Sequence, residues 1–402
     1  MLPPQYREVA QLWVRQHNKP VMMKPTSKSP PPKVLFLGSL YAGHRTRFLN
    51  LQTHTRHDPR IDPEYRSVSG WMEGGLVEKV TFLPPGLRGR IRATAQASVI
   101  AKLPRPDAVW TSVWEVSTPY IAAMRGPLRR PLVVDLDRTY DQLESMAEAY
   151  FGRKAKTGAA LAIGRFIEKT LWDQATLFTP WSNWAAEGLV RRGVDPAMIR
   201  VLPPGVDLEA WRPPVDKVAD MSRPLRLLFV GGDFERKGGD LLLEAFGRGL
   251  GGLCELDIVT HEAMVAPPAG VRVHRATPNS PELRDLYARA DLFVLPTKAD
   301  CFGLASVEAM ASGLPVIMGN VGGAPDIVSD GKTGWLIEPN TEALVAAIQH
   351  ALGIRQRLPE MGRQARVDAE ARFDGRRNDC VIVELILEQV ARFRNQAAGN
   401  TR

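Results

Sequence analysis

Short apolar runs recur along this chain with helix-like stretches between them, and that rhythm limits what the chain can fold into. Lys33-Val-Leu-Phe-Leu37, closed by Gly38, is the first; Ala108–Trp110, Leu132–Val134, Leu177–Thr179 and Ile199–Leu202 follow. Apolar runs of this length bounded by turn residues read as buried strands. Strands alternating with helices build a parallel sheet covered by helices. The rhythm breaks over residues 203–224, where Pro203-Pro204-Gly205, Pro213-Pro214 and Pro224 cluster. It restarts at Leu225–Val230 and continues through Leu256–Val259, Val271–Val273, Leu292–Leu295 and Pro315–Met318. Ser280-Pro281-Glu282 and Asn340-Thr341 are helix starts, and Val381 to Phe393 reads as one long helix. Two α/β units joined by a proline-rich linker are expected. The division is 1–32 for an extension and linker, 33–203 for the first unit, 204–224 for the joint, 225–374 for the second unit, and 375–402 for a C-terminal helix.

Composition agrees with two packed units. Of 402 residues, 44% are hydrophobic and 24% charged, which excludes a disordered or collagen-like chain. No run approaches ~18 consecutive apolar residues, so no spanning helix is expected. Met1 to Ala10 lacks the apolar core of a secretory signal. Cys254, Cys301 and Cys380 are too few for a disulfide framework and are not spaced as a zinc site. A cytoplasmic setting is expected. Charge is uneven: residues 1–212 hold 30 Lys+Arg against 19 Asp+Glu, net +11, and residues 213–402 hold 22 against 25, net −3. A basic first half implies an anionic partner or a solvated basic face. Leu87 to Lys102 reads as a basic helix, a candidate for peripheral contact with an anionic membrane. Nucleic acid is not expected, since no binding motif accompanies the charge.

Four segments carry chemistry. Gly38-Ser-Leu-Tyr-Ala-Gly43 follows the first strand, but His44-Arg45 stand where a P-loop needs Lys and Ser or Thr. It is either a tight turn or a backbone anion site formed by Gly38, Gly43 and His44. Asp135-Leu-Asp137 has the spacing of a divalent-cation pair; a polar acceptor pocket or an exposed strand end fits better, and no metal is expected. Gly231-Gly232-Asp-Phe-Glu-Arg236-Lys237-Gly-Gly239 lies between a strand and a helix, with glycines for close backbone approach and two cations suited to a diphosphate. Finally, residues 296–316 run from a strand end through a loop into a short helix opened by Phe302, Gly303 and Leu304. The free N–H groups of that helix start suit an anion or a hydroxyl. Asp300 lies just before it and Glu308 within it, a pair of carboxylates costly to bury together.

These residues resemble the family-four, or group 1, retaining glycosyltransferases of the GT-B fold. The strongest match is 296–339, ending Gly322-Gly-Ala-Pro-Asp to Pro339; weaker matches are Gly231–Phe246 and Gly188–Pro213, with Gly205-Val-Asp207 in place. The resemblance covers residues 180–350 well and the first half loosely. It implies an α/β fold of two Rossmann-like domains whose parallel sheets face a central cleft, the last helix crossing back to the first domain. It implies that Glu308 hydrogen-bonds the ribose of a nucleotide-diphosphate sugar and Asp300 contacts the donor sugar. Phe302, Gly303 and Leu304 offer backbone N–H groups, Lys237 with Arg236 neutralises the diphosphate, and backbone near Arg275 and Ala276 meets the base. Gly231 and Gly232 belong to the donor loop, and Gly38, Gly43, His44 and Asp137 to the acceptor side. No cofactor is required, and the acceptor is a glycan, a lipid-linked molecule or a phosphorylated small molecule.

Three positions depart from the family pattern: Asp300 replaces the usual Glu, Gly232 replaces a frequent Arg, and Val134-Asp-Leu-Asp137 replaces a segment that often carries His. Cleaving a glycosyl–phosphate bond leaves negative charge on the diphosphate, which fixed cations and N–H donors stabilise. In a retaining transfer without a protein nucleophile, the leaving phosphate takes the acceptor's proton. An inverting route needs a base, for which His44, Asp135 and Asp137 are candidates. A non-catalytic binder of sugar nucleotides or glycans, and a GT-B epimerase or phosphorylase, remain alternatives.

Overall fold

The computed structural model describes residues 30–40, 42–69, 75–83, 85–112, 120–121, 130–215, 217–262 and 267–399. Of the expected extension, residues 1–29 lie outside the described residues. The chain forms two compact units: Met1–Glu144 with Lys156–Pro203 and Arg376–Arg402, and Ser145–Ala155 with Pro204–Gly375.

The first unit contains β1 (Lys33–Gly38), α1 (Ala42–Thr55), β2 (Asp62–Ser67), α2 (Pro85–Ile100), β3 (Ala108–Ser112), β4 (Leu132–Leu136) and α3 (Tyr140–Ser145), whose last residue counts with the second unit. After α4 (Ala147–Phe151), which belongs wholly to the second unit, it continues with α5 (Gly158–Trp172), β5 (Leu177–Pro180) and α6 (Asn183–Arg191). The strands form one parallel sheet in the order β2-β1-β3-β4-β5. Side chains alternate along a strand, so each strand feeds two cores. Val34, Phe36, Trp110 and Val133 face Phe48 and Leu51 of α1. Leu35, Leu37, Val109 and Val134 face Ala93 and Ala97 of α2 and Leu171 of α5.

The second unit contains β6 (Leu225–Val230), α7 (Gly239–Ala245), β7 (Cys254–Val259), β8 (Val271–His274), α8 (Pro281–Arg289), β9 (Leu292–Leu295) and α9 (Leu304–Ala311). β10 (Val316–Gly319), β11 (Gly334–Ile337), α10 (Thr341–Gly353) and α11 (Leu358–Arg372) complete it. Its six strands are parallel in the order β11-β10-β9-β6-β7-β8. Leu292–Leu295 is fully buried, as a central strand covered on both faces must be. Ser280 and Asn340 cap α8 and α10, each hydroxyl or amide oxygen accepting a backbone N–H.

The last helix, α12 (Gly375–Gly399), returns to the first unit. Its Ile382, Leu385, Ile386 and Val390 pack in the core with Val34, Phe36 and Trp110. Asp379 on α12 is fully buried and bonds Arg47 Nη1 on one oxygen and His54 Nδ1, at 2.6 Å, on the other. Arg47 Nε also lies 3.5 Å from Asp135 Oδ2. Burial alone would lower the Arg47 pKa, but Asp379 and Asp135 more than reverse this and raise it.

Two edge strands and one extended segment differ from the sequence expectation. β2 reads Asp-Pro-Glu-Tyr-Arg-Ser and β11 reads Gly-Trp-Leu-Ile; each is paired on one side only, where a proline or polar residues are tolerated. The expected strand at Ile199–Leu202 is corrected: it forms only an isolated bridge, Phe178 to Ile199. Arg200 N–H and Leu202 N–H donate to the carbonyls of Phe178 and Pro180 at 2.9 Å, but Pro180 has no N–H to complete the ladder.

Asp379→Asn keeps the shape of the buried ion cluster and removes one of its two negative partners for Arg47. It should lower unfolding stability by about 3 kcal/mol, the cost of breaking a buried ion pair from one side. Urea denaturation checks this through a lower midpoint at unchanged slope.

Candidate active site

β6 and β9 lie side by side although α7, β7, β8 and α8 separate them in the chain, so the strand order turns around between them. In open parallel sheets, ligands bind beyond the carboxyl ends of the strands at such a point. Two loops leave it, 231–238 into α7 and 296–303 into α9.

Lys237 and Asp300, one from each loop, form an ion pair through Nζ and Oδ2. The loops are stitched together beside it. Lys298 N–H donates to the Arg236 carbonyl at 2.9 Å, and Arg236 Nη1 donates to the Ala299 carbonyl at 2.8 Å. Arg236 Nε also donates to Asp233 Oδ2 at 2.7 Å. Thr297, fully buried, places its Oγ1 3.0 Å from the Ala299 carbonyl. A third loop supports the second. Gly322, with φ +54°, sits where a Cβ would stand 1.9 Å from the Asp300 carbonyl, so no side chain fits there. Gly323 N–H donates to the Cys301 carbonyl at 3.1 Å.

Phe302 is buried and packs edge-on against Phe373 at 6.2 Å, which fixes the loop where it enters α9. Gly303 precedes Leu304, the first residue of α9, whose opening turn leaves N–H groups without intrahelical acceptors. Glu308 is only 8% exposed and accepts a hydrogen bond from the Tyr287 hydroxyl at 3.1 Å. Burial pushes the Glu308 carboxyl up to about 7, against the downward pull of the Tyr287 bond. Gly231 packs on Phe229 and Lys237, whereas a Cβ on Gly232 would stand 3.8 Å from the His261 ring, an ordinary contact, so a Cβ there is not excluded sterically. Arg275 and Ala276 follow the end of β8, the edge strand two places from β6, on the same carboxyl-end side of the sheet. Thr297 and Tyr287, which complete this site, carry no motif of their own; each lies within a strand–loop or helix pattern that reads as scaffold.

In the first unit the glycine loop after β1 has a packing reason. A Cβ on Gly38 would fall 2.2 Å from the Phe48 ring, so glycine lets α1 lie on β1. Gly43 is in the first turn of α1. His44 is 8% exposed, with Nε2 3.3 Å from Asp137 Oδ2 and its ring 4.8 Å from that of Trp181. Burial pushes the Asp137 carboxyl up, but Arg138 and His44 more than reverse this and hold it well below the ordinary range. Asp135 points into the protein: its oxygens accept from Thr179 Oγ1 at 2.9 Å and Trp181 Nε1 at 2.6 Å. Both carboxylates of the Asp-x-Asp segment thus lie on protein donors. Among the described residues, no cluster of three or more His, Cys, Asp or Glu is placed to hold a metal ion.

Comparison with known proteins bears on the family and the fold. A family model described as glycosyl transferases group 1 matches residues 224–353, and one described as glycosyl transferase 4-like domain matches residues 37–205. The D-inositol 3-phosphate glycosyltransferase of Gordonia bronchialis is 32% identical over 230 residues, covering 50% of this chain and 50% of that one. That of Paenarthrobacter aurescens is 31% identical over 247 residues, covering 56% and 60%. The matched segments thus span between half and three-fifths of the length of these two relatives. Among solved structures, sucrose-phosphate synthase from Thermosynechococcus elongatus superposes with a TM-score of 0.73 at 18% identity, over 90% of this chain and 99% of that one. Anabaena Alr3699/HepE in complex with UDP-glucose superposes with a TM-score of 0.65 at 17% identity, over 89% and 100%. The chain belongs to the group 1 glycosyltransferases and has the GT-B fold.

The raised carboxyl of Glu308 carries a stability consequence. Between its ordinary value near 4.5 and about 7, the folded protein keeps a proton that the unfolded chain has lost. Stability from this group therefore falls as pH rises through that window and levels off above it, by at most about 3 kcal/mol. Glu308→Gln should abolish this component, so its melting temperature relative to wild type should be higher at pH 8 than at pH 5. Parallel thermal melts at the two pH values check it.

Proposed function

We propose that this chain transfers a hexose from a nucleotide-diphosphate sugar to an acceptor hydroxyl with retention of anomeric configuration. The observation that carries the reading is the Lys237–Asp300 pair at the head of α9, with Glu308 buried in the same helix, at the carboxyl ends of β6 and β9. In this reading Glu308 accepts from the ribose hydroxyls and Asp300 from the sugar hydroxyls. The donor's diphosphate takes over Lys237 Nζ, assisted by Arg236 and the N–H groups at Phe302, Gly303 and Leu304. Gly231 and Gly232 leave the backbone open to the phosphates, and the backbone at Arg275 and Ala276 meets the base. As the glycosyl–oxygen bond breaks, negative charge gathers on the leaving diphosphate, where these groups stabilise it. The acceptor oxygen bonds the anomeric carbon on the face the diphosphate leaves, and its proton passes to a diphosphate oxygen. No cofactor enters this scheme.

The acceptor belongs on the first unit, near Gly38, Gly43, His44 and Asp137. The excess of basic residues in 1–212 favours a phosphorylated or lipid-phosphate acceptor, and the names of the relatives, D-inositol 3-phosphate glycosyltransferases, agree with a phosphorylated small molecule. A cytoplasmic protein that touches the inner face of the membrane fits the exposed Leu87, Ile91 and Val99 on α2 beside exposed Arg90. No helix among the described residues is long and apolar enough to cross a membrane.

Calorimetry with UDP-, GDP- and ADP-sugars, on wild type and Glu308→Ala, tests the donor site. One nucleotide should bind, and the variant should lose about 1–3 kcal/mol, the worth of a charged hydrogen bond. Wild-type affinity should also rise as pH climbs through about 7 and Glu308 ionises. A folded protein that binds none of them overturns the assignment; binding without turnover over an acceptor panel favours a sugar-nucleotide binder instead.

A further inference from the structure

Tyr150 lies on α4, which falls in the chain between β4 and β5 but belongs to the second unit. Nothing in its local sequence marks it. Its ring faces the Arg236 guanidinium, with the guanidinium carbon 4.4 Å from the ring centroid. Its hydroxyl is 3.4 Å from Cys301 Sγ. Arg236 immediately precedes Lys237, and Cys301 immediately follows Asp300. Tyr150 therefore touches the chain neighbour of each member of the ion pair. Burial, then Cys301 and Asp300, push its phenol above the ordinary range, so the hydroxyl keeps its proton.

Arg236 is the hinge of this arrangement. Its edges donate to Asp233 and to the Ala299 carbonyl, and its face rests on Tyr150. A planar guanidinium can use edge and face at once; a lysine ammonium cannot. We propose that Tyr150 is a positioning residue of the donor site: its ring fixes Arg236, Arg236 fixes the loop at Ala299, and that loop presents Asp300 and Lys237 to a nucleotide-diphosphate sugar. The inference rests on the donor-site reading above.

The test uses the full chain with UDP-glucose as probe, on Tyr150→Phe, Tyr150→Leu, Arg236→Lys and the Tyr150→Leu/Arg236→Lys double variant. Tyr150→Leu should weaken binding about tenfold while Tyr150→Phe, which keeps the ring, stays within about twofold of wild type. Arg236→Lys should lose a similar factor and the double variant little more, because both act through one contact. Wild-type affinity in Tyr150→Leu, a Phe variant as weak as the Leu variant, or additive losses would each overturn the proposal. An NMR readout needs no ligand and separates this failure from failure of the donor site. The Arg236 Nε–H resonance, assigned by its loss in Arg236→Lys, should move in Tyr150→Leu and stay in Tyr150→Phe. A resonance that does not move in Tyr150→Leu overturns the positioning role whether or not UDP-glucose binds. A resonance that moves, with wild type binding none of the UDP-, GDP- and ADP-sugars, leaves the ring contact standing and counts against the donor reading and the positioning role that rests on it; where wild type binds a GDP- or ADP-sugar instead, that sugar replaces UDP-glucose as the probe.

Discussion

The parallel pairing of β6 with β9 is the constraint on which the second unit depends. Because the chain winds away from these two strands in opposite directions, their carboxyl ends have no crossover helix between them. The two loops that leave there are free to approach each other. Their approach brings opposite charges together, Lys237 with Asp300, over the opening turn of α9. The remaining features hold those loops in place. Gly322 allows a third loop to back the Asp300 carbonyl, Phe302 is fixed by Phe373, and Arg236 ties the first loop to the second. A candidate site made this way is assembled by backbone contacts and rigid strands.

The first unit solves a different electrostatic problem. α1 carries His44 and Arg47 three residues apart, on one face of a helix. Asp135 near the end of β4 and Asp137, the residue just past it, lie two residues apart, the spacing that keeps both on one side of an extended chain. The two spacings bring the pairs together, Arg47 near Asp135 and His44 near Asp137. Asp379 then closes the cluster from α12. The Asp-x-Asp spacing that resembles a cation site is thus used for ion pairing within the protein.

The alternation of apolar runs with helices exposed the fold class because strands buried on both faces cannot hide their composition. The same logic fails at the edges. β2 and β11 are paired on one side and need no continuous apolar run, and the segment after β5 reads as a strand while Pro180 denies it a ladder. Within the candidate site, Lys237, Asp300, Gly303 and Glu308 stand out because charge and glycine are unusual between buried strands. Tyr287, Thr297 and Tyr150 do not, because an aromatic residue or a threonine in a helix or loop is ordinary until its partner is known. Their significance depends on contacts across long stretches of chain, such as Tyr150 with Arg236, which no local pattern encodes.

The return of α12 to the first unit has a consequence for synthesis. One face of the first sheet, with Val34, Phe36 and Trp110, is completed by Ile382, Leu385 and Ile386. Those residues leave the ribosome more than 300 positions after β1. At about 5–20 residues per second, that face waits tens of seconds for its cover. Over that interval the nascent chain makes the whole second unit, whose residues are contiguous apart from Ser145–Ala155. The first unit is therefore begun first and finished last, and during translation its uncovered sheet is where a chaperone would be needed.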